Sequence, residues 1–319
     1  MNAGTSFLQS RGAVVITGAS TGIGRASALA LAAAGYRVFA GVRRTLDGDS
    51  LLESATGRLT PVILDVTDPG SIEAAAREIR AVVRSDGITG LVDNAGIGTL
   101  WPMEAVPLGE LRHQYEVNIF GQVAVIQAFL PLLRLGAGRI LNIGSIGDRL
   151  MLPFAGPLNS SKQAFAAITE ALRMELRSSG IRVVLIEPAS IHTEAVEKVA
   201  AAADRVLDEL ESTASGRYVV PYRSMTSRGL ARERNGSSPD VVARTVLRAL
   251  SARRPRSRYL VGKDAHRLAF LARWLPDPLF DGLRLKALGL PTSFGSAMTP
   301  RHHRSGKEPG NEAVGIRAA

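Results

Sequence analysis

Eight consecutive residues, Thr17-Gly18-Ala19-Ser20-Thr21-Gly22-Ile23-Gly24, have the types and spacing to do chemistry, and that chemistry is phosphate binding. An apolar run, Ala13-Val14-Val15-Ile16, leads into them, and an alanine-rich helical pattern over 25–34 follows. In a strand–turn–helix of this kind, Gly18 permits the tight turn and Gly22 lets backbone approach a pyrophosphate. Gly24 lets the helix pack close to the strand. The helix N-terminus then offers unpaired N–H groups to the phosphates. A glycine triplet alone says little; between a strand and a helix it reads as a dinucleotide fingerprint.

Such a loop needs a sheet to hold it. Apolar, β-rich runs over 13–17, 37–42, 61–66, 88–93, 139–143, 182–187 and 258–261 alternate with helical patterns over 20–34, 71–84, 108–133, 160–178 and 239–252. Strands apolar on both faces and separated by helices predict a parallel sheet covered on both sides. The expected fold class is therefore α/β, a doubly wound, Rossmann-type sheet, in a single domain with a C-terminal extension. Ligands should bind at the carboxyl ends of its strands. The expected layout is an N-terminal arm over 1–11, a dinucleotide-binding catalytic domain over 12–263, an amphipathic extension over 264–299 and a disordered basic tail over 300–319. Within the domain, 191–238 reads as a substrate lid, with a helical stretch over 194–210 followed by a polar loop.

Composition narrows the function. The 319 residues are 45% hydrophobic and 21% charged, ordinary globular material able to bury a core. There is no cysteine, which excludes disulfides, thiolate metal sites and a cysteine nucleophile; no metal site is expected. The net charge of +10 is concentrated late, with 13 Lys or Arg against 5 Asp or Glu from Ser251 onward. A solvated basic tail is the plain interpretation, with peripheral membrane contact through this C-terminal region as the functional one. The basic residues are not interleaved with aromatics, so no nucleic-acid partner is expected. No secretory signal over 1–9 and no uninterrupted apolar run of about 18 residues is visible, so a cytoplasmic location is expected.

The motifs, in order, resemble those of the short-chain dehydrogenase/reductase family. Thr17 to Gly24 is similar to its Thr-Gly-x-x-x-Gly-x-Gly loop. Asp65-Val66 matches its adenine-facing aspartate, and Asp93-Asn94-Ala95-Gly96 resembles Asn-Asn-Ala-Gly with the first Asn changed. Asn118, Ser145 and Lys162 match its active-site asparagine, serine and lysine, and Glu187 to Thr193 resembles Pro-Gly-x-x-x-Thr. The wording around Val38–Arg43 and Leu64–Pro69 resembles the retinol and hydroxysteroid dehydrogenase branch, which implies a small lipophilic alcohol or ketone as substrate. The resemblance implies a dinucleotide held by Gly18, Ser20, Thr21, Gly22, Ile23, Gly24, Arg43, Asp65, Val66, Asn94, Ala95, Gly96, Lys162, Pro188, Ile191 and Thr193. It also implies a homodimer or homotetramer using the helices over 108–133 and 160–178.

One position departs from the family. Its acid/base is a tyrosine four residues before the lysine, and here that residue is Leu158, thirteen after Ser145 as the family's spacing requires. The surrounding run Gly156-Pro157-Leu158-Asn159-Ser160-Ser161-Lys162 keeps the register, so the tyrosine is absent rather than displaced. Reducing a ketone puts a hydride on carbon and a proton on oxygen, and leucine has no proton to give. Ser145 and Asn118 could still polarise a carbonyl, and water, Tyr218, Tyr222 or His192 are the alternative proton sources. An imine suits such a site better, because it can arrive protonated.

The end of the second strand carries no carboxylate; Val42 is followed by Arg43 and Arg44. Two guanidiniums there favour the 2′-phosphate of NADP(H), with NAD(H) as second choice. Three functions follow: an NADP(H) oxidoreductase with an atypical site, a non-redox cyclase or isomerase reusing the pocket, and a catalytically silent NADP(H)-binding protein.

Overall fold

The computed structural model describes residues 11–293. Seven parallel strands form one sheet in the order β3-β2-β1-β4-β5-β6-β7. They are β1 (Ala13–Ile16), β2 (Arg37–Val42), β3 (Leu59–Ile63), β4 (Gly90–Asp93), β5 (Arg139–Ile143), β6 (Arg182–Pro188) and β7 (Arg258–Val261). The order reverses beside β1, which opens a crevice between the carboxyl ends of β1 and β4. β3 starts and stops earlier than its apolar pattern suggests, and Asp65 lies in the loop beyond it. Its Pro61 is tolerated because β3 is an edge strand and the ladder loses little without that N–H.

The alternation of side chains along each strand builds two cores. Ala13 and Val15 of β1 face one layer, with α3 (Pro69–Val83) and α5 (Gly121–Leu135) packed on it. Val14 and Ile16 face the other, with α1 (Gly22–Ala33), α2 (Thr45–Glu53) and α9 (Asp240–Ser251). Fully buried side chains such as Phe129 and Leu31 each contribute about 1.5–3 kcal/mol.

The expected helix over 108–133 is α4 (Leu108–Tyr115), a π-helical turn Glu116–Phe120, and α5 in one run. By length and composition this run could cross a membrane, but its apolar residues Val125, Ile126, Phe129, Leu132 and Leu133 are buried against the sheet. α6 (Gly156–Glu175) carries the Leu158–Lys162 run.

The segment after β6 differs from its expected form. Following α7 (Glu194–Glu211), the stretch expected to be a polar loop is largely a helix, α8 (Val219–Arg234). The extension forms α10 (Ala265–Trp274) and α11 (Asp277–Ala287). A third cluster of Trp101, Phe154, Leu207, Leu210, Tyr222, Leu288 and Leu290 ties α7, α8 and the end of the extension to the loop after β4. The arm over 1–10, the segment 294–299 and the expected disordered tail over 300–319 lie outside the described residues.

Candidate active site

The glycine loop joins β1 to α1. Gly18 has φ +62° and Gly22 φ +54°, conformations a side chain would strain. A Cβ on Gly24 would stand 2.2 Å from the Gly18 carbonyl oxygen, so α1 approaches the strand only because no side chain is there. Thr21 caps α1 without a side-chain hydrogen bond, leaving the first-turn amides of Gly22, Ile23 and Gly24 without intrahelical partners. The cradle the sequence implies is therefore formed, and its amides suit a pyrophosphate.

Buried polar groups hold the cradle. The Thr17 hydroxyl accepts from the Asn94 and Ala95 amides at 2.8 and 2.9 Å and donates to Asp93 Oδ1 at 3.2 Å. Asn94 Nδ2 donates back to the Thr17 and Gly18 carbonyls at 2.9 and 3.2 Å, so its amide braces the loop. Asp65 Oδ1 accepts from the amide and hydroxyl of Thr67 at 2.9 and 2.7 Å. Burial works against that carboxylate, but these bonds and the nearby Arg43 hold it below its usual range. Of the two arginines after β2, Arg44 is paired with Asp47 at 2.7 Å, whereas Arg43 is exposed and makes no ion pair among the described residues.

Asn118 and Lys162 meet beside Gly96, Leu158 lies beside Gly98, and Ser145 follows the strand whose last carbonyl Lys162 bonds. A Cβ on Gly96 would lie 3.3 Å from Asn118 Oδ1 and 3.7 Å from Lys162 Nζ. Lys162 Nζ donates to the Ile143 carbonyl at 3.1 Å, at the end of the strand that leads to Ser145. Burial lowers the Lys162 ammonium to about 8, against the charges of Asp93 and Asp148. Ser145 Oγ accepts from the Gly147 amide at 3.0 Å, and its own proton is left to donate. Leu158 sits one turn before Lys162, with its methyls against Gly98 and near Val199 of α7.

Asn118, expected to polarise a carbonyl, has both polar atoms of its amide bonded within the chain. Its Oδ1 accepts from the Ile97 amide at 2.9 Å, and its Nδ2 donates to the Ile97 carbonyl and Ser161 Oγ, both at 3.0 Å. These bonds brace the loop after β4. Two of the alternative acids are engaged elsewhere. Tyr222 is buried with its hydroxyl on the Leu100 carbonyl at 2.9 Å, and burial pushes its pKa up. Tyr218 bonds Glu104, and His192 is exposed.

Several site-shaping residues carry no local sequence signal. Gln114 bonds the Thr99 amide and the Ile97 carbonyl at 2.8 and 2.9 Å, a second brace on the same loop. At the ends of β6 and β7 the buried Glu187 meets Arg149 at 2.7 Å and Arg258 at 2.9 Å, and Arg258 also reaches Asp148 at 3.2 Å. Burial and the Glu187 charge push Asp148 up to about 7. Pro188 ends β6, and Ile191 and Thr193 follow in the loop before α7. Ser190 holds φ +46° there, tied to Glu233 and, through its carbonyl, to the Ser237 amide at 2.8 Å. Thr193 lies over the glycine loop, 3.2 Å from where a Cβ on Gly22 would be. A separate depression of about 550 Å³, lined by Arg11, Tyr36, Thr89 and Arg139, lies at the amino-terminal edge of the sheet, away from this crevice.

Comparison with known proteins agrees with this geometry. Residues 12–204 match the family model for short chain dehydrogenases. The chain is 33% identical over 279 residues to an NADPH-dependent 3-dehydrocapnine reductase of Ornithobacterium rhinotracheale, covering 86% of this chain and 96% of that one. It is 34% identical over 279 residues to human retinol dehydrogenase 5, covering 85% and 86%. A short-chain dehydrogenase from Burkholderia cenocepacia, solved in complex with NADP, superposes with a TM-score of 0.64 at 27% identity, covering 86% and 98%.

Proposed function

The chain belongs to the short-chain dehydrogenase family, and on that premise we propose that it is an NADP(H)-dependent oxidoreductase acting on a lipophilic carbonyl, alcohol or imine without a tyrosine acid. The observation that carries this is the glycine cradle flanked by the unpaired, exposed Arg43. Arg43 suits a 2′-phosphate, and no carboxylate ends β2 to repel one. A relative that is NADPH-dependent by name and a neighbour solved with NADP support the same choice.

A nicotinamide held in this crevice would supply or accept the hydride. Of this chain's groups, the Ser145 hydroxyl donates to the substrate heteroatom, Lys162 holds the ribose side, and Asn118 fixes the loop between them. Leu158 and Val199 give the substrate an aliphatic wall where a phenol would stand. An imine that arrives protonated needs no acid there, so it fits this wall better than a ketone. Leu158 also supports a second reading, a silent NADP(H)-binding protein.

The test is a fluorescence titration with NADPH and NADH, followed by absorbance assays on ketones, aldehydes and imines. We expect NADPH to bind more tightly and imines to turn over fastest. Absence of binding sinks the cofactor assignment, and binding without turnover on any class favours the silent protein.

We also propose a cytoplasmic homodimer or homotetramer. The exposed Leu108, Phe120, Leu135 and Met174 on α4, α5, α6 and the turn between α4 and α5 support an assembly surface. Exposed Phe270, Trp274, Leu279 and Leu283, beside Arg267, Arg273 and Lys286, support peripheral contact with an anionic membrane.

A further inference from the structure

The first residue of α7 reaches back 172 positions to the glycine loop: the Gly22 amide donates to Glu194 Oε2 at 3.0 Å. That amide is one of the orphan donors at the start of α1, where any anion is favoured by the open N–H groups and the helix dipole. A carboxylate oxygen and a phosphate oxygen make the same demand on it. Thr193 packs against the same glycine, so the contact is made by the entry of α7 as a whole rather than by a stray side chain. Resting on the cofactor assignment above, we propose that Glu194 is a built-in competitor for the cofactor's pyrophosphate, so that α7 and the dinucleotide exchange at the Gly22 amide.

The surroundings are arranged for exchange. Glu194 is exposed and makes no other hydrogen bond or ion pair among the described residues, so leaving costs it a single contact. Lys198 lies one turn further along the same helix, at the spacing where a glutamate and a lysine meet. Glu194 therefore has a partner to take up when it is displaced. The other first-turn acid, Glu197, is held in a two-pronged pair by Arg234 of α8, at 2.8 and 2.7 Å. Displacement of Glu194 thus frees the tip of α7 while the rest of the lid stays pinned. The lid tip and the cofactor then report on each other: occupancy of the loop loosens the tip, and a docked tip weakens cofactor binding.

The test measures NADPH affinity in the full chain and in Glu194→Ala and Glu194→Asp, with hydrogen exchange over 194–199. Aspartate keeps the charge but is one methylene too short for the contact. Both variants should bind NADPH more tightly, alanine by about tenfold, the scale of a charge-assisted hydrogen bond on an exposed site. NADPH should speed exchange over 194–199 in the natural chain and leave it unchanged in Glu194→Ala. If Glu194→Ala binds no more tightly than the natural chain, the proposal fails while the cofactor assignment stands. If alanine tightens binding but aspartate does not, the effect is only the field of a charge, and the proposal also fails. If neither the natural chain nor the variants bind, the cofactor assignment itself is wrong and takes the proposal with it.

Discussion

The two halves of the crevice spend their polar groups in opposite ways. On the cofactor side, side chains such as Thr17 and Asn94 are consumed internally, which leaves the first-turn amides of α1 to anions, that of Gly22 to the exposed Glu194. On the substrate side, the amides of Asn118 and Gln114 are likewise consumed, but little is left open: the Ser145 proton and the Lys162 ammonium. Leu158 closes the remaining wall with methyl groups. On the function proposed above, such a site would keep its binding apparatus while a single side chain alters its chemistry, because binding rests on backbone and reaction on single side chains.

The largest expected effect restores the missing side chain. Leu158→Tyr, paired with Val199→Ala for space, should raise ketone reduction by about 100- to 10,000-fold, the range general acid–base catalysis supplies. The rate of NADPH oxidation measures it, and no gain would mean that the substrate side differs by more than one residue. Gly24→Ala attacks the other half. Its methyl would meet the Gly18 carbonyl, and titration should show NADPH affinity falling about 100-fold. Arg43→Ala should weaken NADPH about tenfold and leave NADH unchanged, as measured by paired titrations; equal losses for both would remove the 2′-phosphate role.

The smallest effect lies between the halves. Asp93 is buried with Oδ2 unpartnered, and burial raises its carboxyl from 3.8 to about 8. The folded state therefore holds a proton that the unfolded chain releases. The stability this provides is complete below about pH 4 and is lost as pH rises through 8. Asp93→Asn should gain on the order of 1–2 kcal/mol at pH 8.5 and almost nothing at pH 4. Urea melts at the two pH values decide it.

What the sequence reveals divides along similar lines. The strands are legible because each is a short, two-faced apolar run, and the leucine at the position expected to hold a tyrosine is legible because Ser145 and Lys162 fix its register on both sides. α8 is not legible. Its Pro221, Gly229 and hydroxyl residues look like loop punctuation, and burial of a face that includes Tyr222 and Met225 against the cluster with α7 holds it helical. α2 is short and carries Gly48, which packs against Pro61. The spent amide of Asn118, the Glu187 ion cluster and the Glu194 contact are long-range meetings of residues with no shared local pattern.

The π-helical turn Glu116–Phe120 has a consequence for chain length. Such a turn holds one residue more than an α-turn, and that extra residue sets the angle at which Asn118 faces Ile97. Deleting Ile119 or Phe120 would take out that extra residue and swing Asn118 by about 100° against the buried face of α5. Surface loops tolerate changes of length, but at this turn the count of residues is itself part of the geometry that holds Asn118.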